Sequence, residues 1–225
     1  MPLVSVEDVK PDARLGLWSM TDEMDESGEL YRQAMALYKS ASRRREYVSV
    51  RMLLAAMVGH PCPELSHDSN GRPRLDNHLN ISISHTHGAC AVIVSPKHDV
   101  AVDVEYISER VNKIASRFLR GDEKAADVES RLLHWCAKET VYKLFSDDNL
   151  TFEDMQITAL RRHLVAPIAN SGYCGRADLR SQPGPFAADK GYIPGSISVA
   201  QRRRGMTIDV SSRIYPEHIL TFAVL

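Results

Sequence analysis

From Val128 to Phe145 the chain carries Leu132, Leu133, Cys136, Ala137, Thr140, Val141 and Leu144 at helical spacing. That apolar stripe constrains the fold most, because a helix this amphipathic must be covered by a sheet or by another helix. At about 100° per residue, Glu139 and Lys143 fall on the margin of the stripe, beside Leu132 and Cys136. Trp135 and Tyr142 are expected on the opposite side, which asks for cover there too. Two readings of Glu139 and Lys143 stay open. They are either an i, i+4 surface pair worth about 0.2–0.5 kcal/mol, or reactive groups whose partners come from elsewhere in the chain.

The cover must come from β structure. Arg14 to Met20, Asn80 to His85, Ala89 to Ser95 and Val100 to Glu105 read as strands, the middle two joined as a hairpin through Thr86-His87-Gly88. A second helix is expected from Ser42 to Val58, with Ser42 as N-cap, Tyr47, Val50, Leu53, Leu54 and Met57 inward, and Gly59 as its stop. A third covers Ser108 to Leu119. After Thr151 the chain turns β-rich, with strands at Met155–Leu160, Ser196–Ala200, Met206–Val210 and His218–Leu225, and a long irregular loop over Tyr173–Gly195. The strand–helix–strands order occurs twice, which predicts an α+β fold (two α/β layers) of two similar halves, 1–104 and 105–225, without a flexible linker.

Several function classes drop out. Twenty-eight basic against 29 acidic residues leave a net charge of −1, which gives no electrostatic footprint for nucleic acid. No stretch approaches the ~18 apolar residues of a membrane span. Cys62, Cys90, Cys136 and Cys174 form no CxxC pair and no disulfide framework, and the N-terminus has no signal-like run. A cytoplasmic protein is expected. A GxxxxGK[ST] loop, a strand-borne GxGxxG, HExxH and GxSxG are all missing.

What remains is a set of polar residues in unusual places. Asp103 and Glu105, two apart on a strand, project from one face about 6–7 Å apart. On a solvated face they need no explanation. On a covered face they call for a cation, and a few oxygen ligands suit Mg²⁺ shared with substrate phosphates. Glu139 could supply the third acid. His85 and His87 could share a strand face as zinc ligands, or His85 could donate hydrogen bonds at the hairpin end. Arg43, Arg44, Arg45 and Arg51 on the second helix are either solvated surface or an anion site.

Four blocks in order resemble the 4′-phosphopantetheinyl transferase superfamily, and specifically its larger single-chain, surfactin-synthetase-activating type. Asn70-Gly71-Arg72-Pro73 looks like the family's NGKP turn, and Ile81-Ser82-Ile83-Ser84-His85-Thr86 is similar to its (N)ISHS strand end. Val100-Ala101-Val102-Asp103-Val104-Glu105 resembles its (V/I)GIDIE strand. Trp135-Cys136-Ala137-Lys138-Glu139-Thr140-Val141-Tyr142-Lys143 resembles its W(S/T/C)xKExxxK helix. The resemblance implies two pseudo-symmetric halves around a cleft that holds coenzyme A. It also implies transfer of the 4′-phosphopantetheine arm to a serine of an acyl or peptidyl carrier protein, releasing adenosine 3′,5′-bisphosphate. A monomer would suffice, since the cleft is internal.

Carried over by position, Asp103, Glu105 and Glu139 would hold Mg²⁺ against the pyrophosphate, with Glu139 helping to deprotonate the serine. Lys143 would neutralise charge on the phosphoryl oxygens, Lys138 would lie at the pyrophosphate, and Glu123 would be a further acid near the metal. Ser84 and His85 would contact phosphate, His85 the 3′-phosphate. Arg72 and Pro73 of the turn, with Arg44 and Arg51 of the basic helix, would complete the coenzyme A contacts. Phosphoryl transfer is mostly positioning and charge stabilisation, so three acids, a cation and a basic rim suit it. Two residues depart from the pattern. Ala101 replaces a glycine where backbone and ligand are expected to approach, and Ser146-Asp147-Asp148-Asn149-Leu150 brings acids to the turn after Lys143. These motivate a rival reading, a homologue that binds coenzyme A or a carrier without turnover. A zinc hydrolase on His85 and His87 is a third.

Overall fold

A computed structural model describes residues 3–20, 26–59, 62–163 and 191–225. The chain runs β1 (Leu3–Lys10), β2 (Ala13–Ser19), α1 (Glu29–Leu37), α2 (Ala41–Val58), β3 (Leu65–His67), β4 (Pro73–Leu75), β5 (Asn80–Thr86), β6 (Ala89–Ser95) and β7 (Val100–Tyr106). It continues through α3 (Arg110–Phe118), α4 (Val128–Leu144), β8 (Met155–Arg162), β9 (Ile193–Gln201), β10 (Met206–Ile214) and β11 (His218–Val224). Two antiparallel sheets organise it, in the order β1-β2-β6-β5 and β7-β11-β10-β9-β8, while β3 and β4 form a separate ribbon. In each sheet the strand that precedes a long helix (β2, β7) pairs with the last strand of that half (β6, β11), which pairs with its hairpin neighbour (β5, β10). The same topology twice over is the expected pair of α+β halves. The boundary expected between residues 104 and 105 cuts through β7. All seven residues of β7 pair with β11, so by sheet membership the divide falls in the turn between Ser95 and Val100.

Three cores stack the layers. Leu53, Leu54 and Met57 of α2 pack on Trp18, Cys90 and Val92 of the first sheet. Leu15, Leu17, Ala91 and Ile93 on the other face of that sheet meet Val102, Val104, Leu220 and Phe222 of the second. Cys136, Ala137 and Val141 of α4 pack with Ala101, Ile197 and Ile219. The order is therefore helix, sheet, sheet, helix, and β7 is covered on both faces. Gly16 shows how tightly the first layers fit, since a Cβ there would lie 2.5 Å from the Met57 sulfur and 2.8 Å from Leu53 Cδ1.

β5 and β7 meet edge to edge without a backbone ladder. The amides of Val102, Val104 and Tyr106 donate instead to the hydroxyls of Ser82, Ser84 and Thr86, at 3.1, 3.2 and 3.3 Å. A constant offset of 20 residues makes the two strands run parallel. Side-chain hydroxyls at period two thus satisfy edge amides that would otherwise be buried without partners. Ser82 and Ser84, the polar half of the alternation, are accordingly buried.

The helix α4 starts with a capping box between Asp127 and Ser130 and ends at Leu144. Ser40 rather than Ser42 holds the N-cap position of α2, without a side-chain capping bond, and the ends of the remaining expected elements shift by a few residues. β1, β3 and β4 were not expected from the sequence. Most of the irregular stretch expected over Tyr173–Gly195 lies outside the described residues, as does Cys174.

Candidate active site

The β5–β7 seam and the C-terminal half of α4 bring the expected acids together. Asp103 is 4% exposed. Its Oδ1 accepts from Ser84 Oγ at 2.9 Å and from Lys143 Nζ at 2.7 Å. Lys143 also donates to the Val102 carbonyl at 3.0 Å, so its ammonium is held over β7. The second oxygen, Asp103 Oδ2, is buried and has no partner among the described residues. A carboxylate oxygen left bare in the interior is destabilising unless something binds it.

Glu105 lies two residues on, half-buried, its Oε1 accepting from Trp135 Nε1 at 2.9 Å and its Oε2 from Thr86 Oγ1 at 3.3 Å. Burial first, then the Asp103 charge, push its carboxyl above the ordinary glutamate range. Glu139 makes no hydrogen bond with a described residue. Burial first and the Asp103 charge next raise it to about 7, the Lys143 ammonium opposing and Glu105 adding to the rise. Glu105 and Glu139, both raised by burial and by the Asp103 charge, stand around one lysine, an electrostatic site short of positive charge.

Cavities open on both sides. One of about 540 Å³ is lined by Arg72, Pro73, Ile81, Ile83, Tyr142 and Lys143. One of about 530 Å³ is lined by Glu105, Trp135, His87 and Tyr106, with Val111 and Ile114 of α3. A smaller one, about 180 Å³, holds His85 with Arg43, Glu46 and Arg51 of α2. His85 Nε2 stands 3.7 Å from Glu46 Oε2, and burial, with Arg43 and Lys143 nearby, holds its proton affinity below the usual histidine value against the pull of Glu46.

Not every expected residue joins the cluster. Lys138, expected at the pyrophosphate, is fully buried on another face of α4, donating to the Phe118 carbonyl at 2.7 Å and to Glu123 at 2.6 Å. Glu123, expected near the metal, also accepts from the Arg120 and Ile157 amides, so its oxygens are committed to that pair. Helical phase explains the correction: Lys138 lies 100° from Glu139, toward α3. Arg44 turns back to the carbonyls of Tyr38 and Lys39, away from the cavities, while Arg51 stays in the smaller one with its guanidinium 3.5 Å above the Tyr47 ring. His85 and His87 line different cavities, which removes the shared zinc face.

Trp135 corrects the expectation of an opposite side. It is one turn before Glu139, about 40° away, and the i, i+4 spacing already carried that signal. Its ring packs on Phe118 and Phe152 while its N–H fixes Glu105. Thr86 was missed too, although it continues the period-two hydroxyls of Ser82 and Ser84. The two departures fall in different surroundings. The Ala101 methyl is fully buried in the core beneath α4. Asp148 is gripped by Arg204 through both oxygens at 2.6 Å. Asp147 alone turns to the cavity, 3.8 Å from Arg72 Nη1.

No curated protein matches the chain. The model of the 4′-phosphopantetheinyl transferase N-terminal domain matches residues 32–95, and that of the 4′-phosphopantetheinyl transferase superfamily matches residues 99–183. The junction of the two matches falls in the turn that separates the two sheets, and together they span both strands of the seam and all of α4. The chain belongs to the 4′-phosphopantetheinyl transferase superfamily, whose members transfer a phosphopantetheine group to carrier proteins.

Proposed function

We propose that this chain transfers the 4′-phosphopantetheine arm of coenzyme A to a serine hydroxyl of an acyl or peptidyl carrier protein, with Mg²⁺ as cofactor. It would be of the single-chain, two-half kind and act as a cytoplasmic monomer. The observation that carries the reading is the buried Oδ2 of Asp103, unpartnered among the described residues, with Glu105, Glu139 and Lys143 around it, Glu105 lining one cavity and Lys143 another. A long ligand with a charged diphosphate at its middle suits that layout. Its nucleotide would lie toward Arg72 and Pro73 with the 3′-phosphate near His85 and Arg51, and its pantetheine arm toward Trp135.

The donor set fits Mg²⁺, which takes one or two carboxylates plus substrate phosphates. As the side chains stand, no three acidic or imidazole groups among the described residues converge on one point. Asp103 Oδ2 would be the anchor, and Glu105 and Glu139 would rotate in. Bound there, the ion supplies charge stabilisation to the phosphoryl oxygens. Lys143, which pairs among the described residues with Asp103 and the Val102 carbonyl, would shift its ammonium from them toward those oxygens. Glu139, near neutrality in its proton affinity, would take the serine proton. As the serine oxygen bonds to the pantetheine phosphorus, the bridging bond on the adenosine side breaks and adenosine 3′,5′-bisphosphate leaves.

Incubation with coenzyme A, Mg²⁺ and an apo carrier protein should add one phosphopantetheine mass to the carrier. Tight coenzyme A binding with no mass gain on any carrier would favour the binding-only homologue. Of the observations behind that rival, Ala101 is core and Asp148 is paired with Arg204, while Asp147 still faces the cavity beside Arg72.

A further inference from the structure

Ser82, Ser84 and Thr86 all answer the edge of β7, but they differ in what they do with their protons. Ser84 Oγ accepts from the Val104 amide at 3.2 Å and donates to Asp103 Oδ1 at 2.9 Å. Thr86 Oγ1 likewise joins the Tyr106 amide to Glu105 Oε2. Ser82 Oγ accepts from the Val102 amide at 3.1 Å and donates to no acid among the described residues. A hydroxyl has one proton to give. Ser84, buried at the seam, has given its proton to Asp103 and has none left for the phosphate contact that the resemblance implies. The bond also has a direction. Ser84 from β5 and Lys143 from α4 both donate to Oδ1, while Oδ2 accepts nothing among the described residues. The χ2 torsion of an aspartate is broad and roughly two-fold, so nothing intrinsic to Asp103 decides which oxygen stays bare. Its donors decide it, and they are not equally fixed. Lys143 sits at the end of a long, partly exposed side chain, and on the proposed mechanism its ammonium moves to the phosphoryl oxygens. Ser84 is short, lies on a paired strand and is held by the Val104 amide, so it stays.

We infer that Ser84 is a positioning residue for the metal site: by holding Oδ1 of Asp103 it presents Oδ2 to the incoming cation. The first half supplies no acid to the cluster of Asp103, Glu105 and Glu139, yet through this one hydroxyl it sets how well the second half binds its ion. The inference rests on the proposed function for the identity of the cation. Which oxygen is bare, and which donor keeps it so, rests on the seam geometry alone. Hydrogen-bond partners of metal-binding side chains are worth about 10–100-fold in metal affinity, because they fix the ligand's orientation before the ion arrives.

The test compares Ser84→Ala with Ser82→Ala in the full chain. Each removes one acceptor from a β7 amide, and only the first removes a donor from an acid, so a merely structural role would move both alike. The probe is Mn²⁺, titrated by EPR with coenzyme A at saturation. Ser84→Ala should bind Mn²⁺ about 10–100-fold more weakly, while Ser82→Ala should match the parent. Ser84→Cys, close in size and a weaker donor, should fall between them, and it carries the test if Ser84→Ala does not fold. The Mg²⁺ concentration for half-maximal transfer should rise in parallel, with kcat at saturating Mg²⁺ close to the parent's. Coenzyme A affinity in EDTA should be the same in all four chains. Parental Mn²⁺ affinity in the Ser84 variants, or equal losses in both alanine variants, would overturn the positioning role and leave the transferase reading standing. So would a loss confined to metal-free coenzyme A binding, which would make Ser84 a phosphate contact instead. Absence of Mn²⁺ binding by the parent chain would overturn the metal reading, and the inference with it.

Discussion

Glu139→Gln separates chemistry from folding, because the two should move in opposite directions. In the metal-free protein the Glu139 carboxyl is raised from 4.5 to about 7, mainly by burial and by Asp103. Between those values the folded chain holds a proton that the unfolded chain has released. Stability from this group is therefore fully present below about pH 4.5 and is lost as pH rises to about 7, after which it is flat. Two and a half units correspond to at most about 3 kcal/mol. Partial contact with water reduces that to about 1–2 kcal/mol. Glutamine carries no charge at any pH, so the variant should match the parent near pH 4.5 and exceed it by roughly 3–6 °C in melting temperature at pH 8 with EDTA. Added Mg²⁺ should close the gap by stabilising the parent. Transfer should fall about 10²–10⁴-fold in the same preparation. A variant less stable than the parent at pH 8, or a difference that does not change with pH, would refute the electrostatic argument. Near-full transfer would refute the assignment of Glu139.

Other outcomes follow from single contacts. Asp147→Asn frees Arg72 from its only acidic neighbour in the described cavity and should tighten coenzyme A binding about 2–5-fold by calorimetry at low salt, consistent with an exposed pair worth ~1 kcal/mol or less; weaker binding would remove Arg72 from the ligand. Ser82→Ala leaves the Val102 amide buried without an acceptor and should lower unfolding free energy by about 1–3 kcal/mol in urea, with no change in Mg²⁺ affinity. Gly16→Ala should be destabilising by about 1–3 kcal/mol through Met57 and Leu53, and Met57→Ala in the same chain should recover part of it. Glu123→Gln should be destabilising by about 3–5 kcal/mol, because it strips a fully buried ammonium of its counter-charge.

The long, strongly periodic elements were legible in sequence: α2, α4, the β5–β6 hairpin and β7 lie where their apolar spacing puts them. Asp103 and Glu105 were legible as a pair because period two puts them on one face, and Glu139 was offered as a third acid before the resemblance gave it a role. The periodicity could not tell which surface the polar half of an alternating strand meets. Ile81-Ser82-Ile83-Ser84 reads the same whether its serines face water or face the bare edge of β7. β1 passed unread because its alternation, Leu3 to Lys10, is broken by charge, and its stability comes from β2. Lys138 was misplaced for a similar reason, since a one-dimensional motif does not say which face of its helix is sealed by α3.

The adjacent residues Lys138 and Glu139 show why the site has the charge it has. Both are ionisable groups on a helix with little solvent. Lys138 is given a partner, Glu123, and that partner is itself saturated by backbone amides, so the pair is electrostatically closed. Glu139 is given neighbours of its own sign, and the single cation nearby is already shared with Asp103 and a carbonyl. Folding does not need that second arrangement: a glutamine at 139 would pack in the same space without repulsion. An arrangement that opposes stability persists where something binds to relieve it. The relief has to be positive, has to reach Asp103 Oδ2, and has to enter from a cavity beside the seam. On the proposed reading a divalent ion carried in with a diphosphate would satisfy all three at a site that neither half of the chain builds alone: β5 supplies the hydroxyls, and β7 and α4 supply the acids and the lysine.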